Sequence, residues 1–332
     1  MARIIMTGFE MGSTSPFSAP LGTILDAGTL LTGAAAAGFS GTYYWSNGRG
    51  RWIVPSANTY YAKVHMSITG FGNQIFAFWG NNQSNELCSL SLDSASRKLQ
   101  FSALSTTVVG AMTLDLDWTV YRFEIKIIKG ASNNGTLQVK VNGVLDVNQS
   151  SFTTVDTDLS FDGISFGYNN TKWDDAVVDD ATWIGNTRIQ GIVGAGVGNY
   201  SQWDVSGTGG SNYERVDDVP ILTGGSDDYI YTNVVNELDS YAMSNLSEGS
   251  NPIDSVPSMI MWAKVRQEGS ATPQNIQLLA RYSGTDLLSS SQAVQQAADY
   301  HMVKYITEVA PGGGALSKTI VNAIECGVKS IT

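Results

Sequence analysis

Carboxylates crowded in sequence are the first residues here that could do chemistry. The stretch Trp173-Asp174-Asp175-Ala176-Val177-Val178-Asp179-Asp180 holds four of them. Hard cations such as calcium take carboxylate oxygens, so Asp174 and Asp175 are the calcium candidates. Alternation along a strand places Asp174 and Asp180 on one face and Asp175 and Asp179 on the other. That spreads the carboxylates instead of converging them. The competing reading is a set of strand-end acids that face water or accept backbone N–H groups.

Other strings resemble chemistry and lack its setting. Gly163-Ile164-Ser165-Phe166-Gly167 matches the nucleophile-elbow pattern. That elbow needs a strand, a sharp turn and a helix, whereas here the string sits in an alternating segment that runs into Tyr168-Asn169-Asn170. The two histidines, His65 and His301, each fall in a predicted strand, and no motif pairs either with a nucleophile. The glycines at 191, 194, 196 and 198 do not give a phosphate-cradling spacing. Gly312-Gly313-Gly314 reads as a loop tip. Cys88 and Cys326 are too few and too far apart for a disulfide framework or a Cys-rich metal site, and read as small buried hydrophobes. No catalytic residue is assigned.

Aromatic residues supply the remaining candidate. Tyr43, Tyr44, Trp45 and Trp52 surround Arg49 and Arg51. Sugars stack on aromatic faces, which makes these four the candidate carbohydrate-binding residues. Core packing accounts for such side chains equally well.

The elements that must position these residues are strands. Tyr121, Phe123, Ile125 and Ile127 alternate with Arg122, Glu124 and Lys126, and Leu137, Val139 and Val141 alternate with Gln138 and Lys140. Period two buries one face and wets the other. Asn142-Gly143 is a two-residue hairpin turn, because both residues tolerate positive φ, and Arg97-Lys98 falls at a hairpin tip. Further strands are predicted at 59–67, 74–79, 87–92, 99–103, 163–167 and 176–178, with turn clusters between them. This spacing predicts an antiparallel sandwich. The Ala run within 33–38 reads as a loop or short helical turn.

Composition agrees with an all-β fold. The chain has 332 residues, 35 of them Gly, with 42% hydrophobic and only 15% charged residues. Two domains fit that length. The pattern shifts after Gly185, and residues 204–254 hold ten acidic residues against one basic, Arg215. A short helix is predicted around 231–243, then strands at 258–266, 275–282, 300–309 and 320–331. The formal charge of −11 without a basic patch argues against nucleic acid and anionic membranes as partners. No apolar run reaches the length of a signal core or a membrane span. The expectation is a soluble protein made in a cytoplasm.

The first half resembles the concanavalin A-like jelly rolls of the laminin-G-like type. The resemblance is carried by Phe9-Glu10, Trp118-Thr119-Val120-Tyr121-Arg122-Phe123-Glu124-Ile125, Val139-Lys140-Val141-Asn142-Gly143 and the closing Asp174-Asp175-Ala176-Val177-Val178. It implies a jelly-roll sandwich over residues 1–187 whose closing strand returns beside the first. Glucanases of that fold use a Glu-x-Asp-x-Glu strand, which this sequence lacks. A retaining glycosidase needs two close carboxylates, so the departure argues against hydrolysis. The second half, 188–332, resembles the C-terminal part of bacteriophage structural proteins. The strings are Gln202-Trp203, 210–220 with Tyr213-Glu214-Arg215-Val216-Asp217, Leu279-Ala280-Arg281-Tyr282-Ser283-Gly284-Thr285-Asp286, and Val321-Asn322-Ala323-Ile324-Glu325-Cys326-Gly327-Val328-Lys329.

Together these readings predict an all-β chain: a concanavalin A-like jelly-roll sandwich followed by a smaller C-terminal β domain. The resemblance implies a non-enzymatic virion protein, most simply a capsid decoration protein. The alternative is a tail or fibre appendage with a carbohydrate-binding module for host attachment. Expected partners are phage capsid or tail proteins, further copies of the chain in a trimer, and a host surface glycan. No cofactor and no metal are expected, with calcium on Asp174 or Asp175 as the alternative. The strand Ser258-Met259-Ile260-Met261-Trp262-Ala263 is apolar on both faces, as in a strand covered twice, and the acidic 204–254 stretch is expected to avoid itself.

Overall fold

The computed structural model describes residues 3–7, 22–26, 29–32, 43–46, 49–70, 74–80, 85–103, 106–116, 119–130, 132–153, 161–168, 171–207, 210–217, 228–247, 253, 255–268, 273–294 and 300–332. The Ala run within 33–38 lies outside the described residues. The chain divides into two compact units, residues 1–189 and 190–332. It is all-β.

The first unit holds β1 (Arg3–Thr7), β2 (Gly22–Asp26), β3 (Thr29–Thr32), β4 (Tyr43–Ser46), β5 (Arg49–Ala57), β6 (Thr59–Ile68), β7 (Gln74–Gly80), β8 (Asn85–Leu92), β9 (Lys98–Ala103), β10 (Thr106–Thr113), β11 (Val120–Ile128), β12 (Gly135–Val141), β13 (Val144–Phe152), β14 (Phe161–Phe166) and β15 (Thr171–Asp179). They form two antiparallel sheets. One runs β13-β12-β11-β6-β15-β4-β3, with β1 also on β15; the other runs β10-β9-β8-β7-β14-β5-β2. Consecutive hairpins alternate with long crossovers, the wiring of a jelly-roll sandwich.

Alternation decides which side chains meet between the sheets. Tyr60, Ala62, Val64, Met66 and Ile68 of β6 point inward, as do Tyr121, Phe123, Ile125 and Ile127 of β11. Phe76 and Phe78 of β7 and Ile164 and Phe166 of β14 face them from the other sheet. Each of the large aliphatic and aromatic side chains among them contributes about 1.5–3 kcal/mol by leaving water. The hairpin tip Asn142-Gly143 takes φ of +51° and +87°, as the two-residue turn requires. At Arg97 the β8–β9 tip also adopts positive φ.

Strand β15 departs from plain alternation. Its register against β6 shifts between Asp174 and Val177, and Asp175 takes φ of +51°. This bulge inserts extra chain into one strand. The expected face assignment of Asp174, Asp175, Asp179 and Asp180 therefore does not hold, and all of Asp174, Asp175 and Asp179 are buried.

The second unit holds β16 (Gly194–Ser201), β17 (Asp204–Val205), β18 (Ile230–Tyr231), β19 (Leu238–Met243), β20 (Met259–Val265), β21 (Asn275–Tyr282), β22 (Thr285–Leu288), β23 (Gln292–Ala293), β24 (His301–Thr307) and β25 (Glu325–Ile331). The main sheet runs β16-β19-β25-β21-β22, with β23 also on β21; β17–β18 and β20–β24 are two-stranded ribbons. The helix expected at 231–243 is replaced by β18, a turn with Asn236 at φ +71°, and β19. Central position explains the change: β19 exchanges ladder bonds with both β16 and β25. The strand expected at 320–331 begins only at Glu325. Before it, α1 (Lys318–Val321) forms one turn, capped by the Ser317 hydroxyl accepting from the Ile320 N–H. The glycine run serves close approach of strands. A Cβ on Gly198 would meet the Ser240 carbonyl oxygen at 2.4 Å, and one on Gly327 would meet the Asp239 carbonyl oxygen at 1.9 Å.

Candidate functional site

The outer face of the β7–β14–β5 region gathers aromatic and guanidinium groups. Gly163 and Ser165 of β14 stand opposite Trp79 and Ala77 of β7 on one side, and opposite Ile53 and Arg51 of β5 on the other. The five side chains among these point away from the core by period two, and Gly163 leaves a gap between them. The small residues Ala77 and Ser165 form a floor, and the long neighbours roof it. Trp79 Nε1 donates to Ser165 Oγ at 2.9 Å, which fixes the indole. The Arg51 guanidinium lies 4.8 Å from the Trp79 ring centroid, and Arg49 lies 5.9 Å from it and 5.0 Å from the Tyr168 ring. The result is a ladder of Tyr168, Arg49, Trp79 and Arg51. Arg49 Nη1 donates to Gln74 Oε1 at 3.1 Å, and Gln74 Nε2 donates to Glu86 Oε1 at 2.9 Å. Burial lowers the Arg51 pKa, Asp162 opposes that, and Arg49 adds to it. Cation–π contacts of this kind contribute about 0.5–2 kcal/mol each. Chemically, the face offers ring surface, planar N–H forks and amide groups.

The predicted aromatic set does not form this face: Trp52 is on β5, and Tyr43, Tyr44 and Trp45 belong to β4 in the other sheet. Trp52 is fully buried, edge-on to Phe166 at 5.1 Å between centroids, so it is a core residue and not a sugar platform. Its place in the alternation, between outward Arg51 and Ile53, decides that. Tyr43, Tyr44 and Trp45 form β4, and their side chains lie outside the described part of the structure. Arg49 and Arg51 stack on Trp79 and Tyr168, which are distant in sequence. Only strand pairing brings those two in.

The outer face of the other sheet carries a buried row of charge. Lys63 and His65 come from β6, Arg122 and Glu124 from β11, and Asp174, Asp175 and Asp179 from β15. Residues 181–189 cross this face as a strap and supply its missing partners. The N–H of Gly185 donates to Glu124 Oε1 at 2.8 Å, and that of Ile189 donates to Asp175 Oδ1 at 2.8 Å. The N–H groups of Ala181 and Thr182 donate to Asp179 Oδ1 at 2.8 and 2.9 Å. Lys63 Nζ donates to the Thr187 carbonyl oxygen at 2.5 Å. Beneath the strap, His65 Nδ1 meets Asp175 Oδ2 at 2.9 Å, and Arg122 Nε donates to Glu124 Oε2 at 3.1 Å. Trp183 anchors the strap, edge-on to Tyr61 at 5.6 Å with Lys140 Nζ 3.8 Å from its ring.

Burial sets the titration of this row. It lowers Lys63 to about 8, against the pull of Asp175 and Asp174. It also lowers His65, opposed by the Asp175 hydrogen bond and reinforced by Lys63 and Arg122. The calcium candidates are thus engaged otherwise: Asp175 spends both oxygens on His65 and the Ile189 amide, and Asp174 Oδ1 accepts from the Asp175 N–H at 2.7 Å. Among the described residues, no group of three or more His, Cys, Asp or Glu side chains is arranged to hold a metal ion. Ser165 is fully buried within a strand, with its hydroxyl bound by Trp79, so the elbow motif has no elbow. The His301 side chain lies outside the described part of the structure.

No family model matches the chain, and no curated protein matches it. Among solved structures, the chain is similar to an endo-β-1,4-glucuronan lyase from the fungus Trichoderma reesei, at 12% identity and a TM-score of 0.38, covering 54% of this chain and 96% of that one. It is similar to the cellulose-induced protein Cip1 at 16% identity and a TM-score of 0.39, covering 55% of this chain and 100% of that one. A tetrameric galectin from the ball sponge Cinachyrella is similar at 9% identity and a TM-score of 0.30, covering 39% of this chain and 96% of that one.

Proposed function

We propose that this chain is a non-enzymatic structural protein of a phage particle, exposed on the virion, whose first unit binds host-surface carbohydrate. The observation that carries the carbohydrate reading is the ladder of Tyr168, Arg49, Trp79 and Arg51 on the outer sheet face, continued by Gln74 and Glu86. Ring faces suit the C–H faces of sugars, and guanidinium and amide groups suit hydroxyls and carboxylates. A ladder already held by Ser165 and Gln74 needs little ordering on binding, which spares affinity. The virion placement is supported by the phage-like strings of the second unit. The non-enzymatic reading is supported by Ser165, which is buried within a strand with its hydroxyl bound by the Trp79 indole.

The test is binding of the full chain to host surface polysaccharide, followed by intrinsic Trp fluorescence and by retention on the immobilised polymer. Trp79→Ala and Arg49→Ala should each weaken binding about tenfold or more, or roughly 1.4 kcal/mol. A wild-type chain that binds no host polysaccharide would end the carbohydrate reading. Capsid decoration is the second reading, favoured by the acidic stretch with its exposed apolar residues, which has the character of an assembly surface. Immunogold labelling of virions separates the two: sparse label at the tail supports host attachment, and dense label over the head supports decoration.

A further inference from the structure

The outer face of β5, β14, β7 and β8 carries its charge in balance. Directly opposed residues of antiparallel strands share a face. Trp79 has Gly163 of β14 on one side and Glu86 of β8 on the other, and Arg51 stands beyond Ser165. Glu86 is therefore in the same row as the indole, and it is exposed. It accepts from Gln74 Nε2 at 2.9 Å, and the same Gln74 side chain accepts from Arg49 Nη1 at 3.1 Å. Burial lowers the Arg51 pKa, and Asp162 of β14 opposes that from close by. On the other side of β5, β2 sets Asp26 opposite Arg49 in register. Two guanidinium groups thus share this region with Glu86 and Asp162, in a chain of charge −11.

Both guanidinium groups are also held through their planes. Arg51 lies over the Trp79 ring at 4.8 Å, and Arg49 lies over the Trp79 and Tyr168 rings at 5.9 and 5.0 Å. A guanidinium keeps its N–H groups at its edge, where they donate to a hydroxyl oxygen as well as to a carboxylate. The surrounding charge separates those two ligands. A carboxylated sugar at Trp79 comes within reach of Glu86, and like charges brought together cost affinity. The wider field of a net-negative chain does not draw in a polyanion either. A hydroxyl group meets neither penalty. It both donates and accepts, so the arginine edges and the Glu86 carboxylate can each satisfy it.

We propose that this face takes an uncharged, hydroxyl-rich glycan, and that Glu86 is the residue that bars acidic sugars. The inference rests on the carbohydrate reading of the face and names its ligand class. Arg49 and Arg51 then act as stacking planes and N–H donors, and their charge is already offset within the fold. Binding that brings no new charges together is expected to be insensitive to salt, because screening acts on charge pairs.

The test is an array of neutral glycans and of glycans bearing uronate, sialate or sulfate, probed with the full chain at low and high salt. Wild type should hold neutral glycans with less than about a twofold change between about 20 mM and about 500 mM salt. Trp79→Ala should abolish that signal, which assigns it to this face. Glu86→Gln keeps the length of the side chain and an oxygen for Gln74. It should hold acidic glycans at low salt about fivefold or more above wild type, release them at high salt, and leave neutral binding unchanged. Circular dichroism checks that both variants are folded. A wild type that holds acidic glycans through Trp79 and releases them as salt rises overturns the inference and leaves the carbohydrate reading standing. So does a Glu86→Gln chain whose preference matches wild type. A wild type that holds no glycan of either class, or one whose binding survives Trp79→Ala, overturns the inference and the carbohydrate reading of this face together.

Discussion

Lys63 is a fully buried lysine whose ammonium ends on the backbone carbonyl of Thr187, between carboxylates from β11 and β15. Its pKa falls from about 10.5 in the unfolded chain to about 8 in the fold. Between these values the unfolded state binds a proton that the native state does not, so stability should rise with pH across that window. Lys63→Met should remove this rise, which spans about 3 kcal/mol at most. Urea unfolding of both proteins from pH 7.5 to 10.5 measures the difference. His65 has the same sign in another window. Its folded pKa lies below the ordinary value of about 6.5, so its contribution is present above that pH and is lost as pH falls. His65→Gln should therefore lose less melting temperature than wild type between pH 6.5 and 5. Wild type and variant falling in parallel would show that His65 takes no part in the acid limb.

Among the elements, the strap at 181–189 is held largely by backbone N–H groups on side-chain carboxylates. Buried amides exchange slowly only while their bonds hold. Hydrogen exchange should show Gly185 and Ile189 protected as strongly as neighbouring strand amides. Ile184 is the strap's buried aliphatic residue, and Ile184→Ala should cost about 2 kcal/mol and speed exchange at both amides. Unchanged protection would mean that the polar contacts alone hold the strap. The strap also marks where sequence reading stops. Strands such as β6, β11 and β12 were legible because alternation is local and Asn142-Gly143 fixes their turn. The bulge at Asp175 was not, since its positive φ answers partners on β6 and in the strap that lie far off in the chain. The same holds for the candidate site: Arg49 and Arg51 stood out as charges among aromatics, yet Trp79 and Tyr168 reach them only through β14. Trp52 had the right type for a platform and the wrong parity within β5. Leu238–Met243 looked helical because composition does not report that a segment has a strand on each side.

At the scale of the whole molecule, each unit has its own hydrophobic core, one around Phe76, Phe123 and Trp173, the other around Met261, Leu278 and Ile324. In the first unit, β1 lies antiparallel to β15, with Arg3 opposite Asp179 and Thr7 opposite Ala176. The first and last strands of the sandwich are thus paired, with Arg3 and Asp179 roughly 5 Å apart, and the strap runs back so that Ile189 stands at Asp175. A module so arranged can be grafted as well as appended. A host protein need supply only a short linker at each end to accept it, because ends on one strand pair make domain insertion tolerable. Residues 1–189 placed in an exposed turn of an unrelated monomeric protein should leave both partners folded, each with its own thermal transition, while loss of the sandwich's transition in a folded host would show that the unit needs the chain beyond Ile189. The sandwich would then be a transplantable head, able to carry its Arg49–Trp79 face into any exposed loop that takes a short linker at each end.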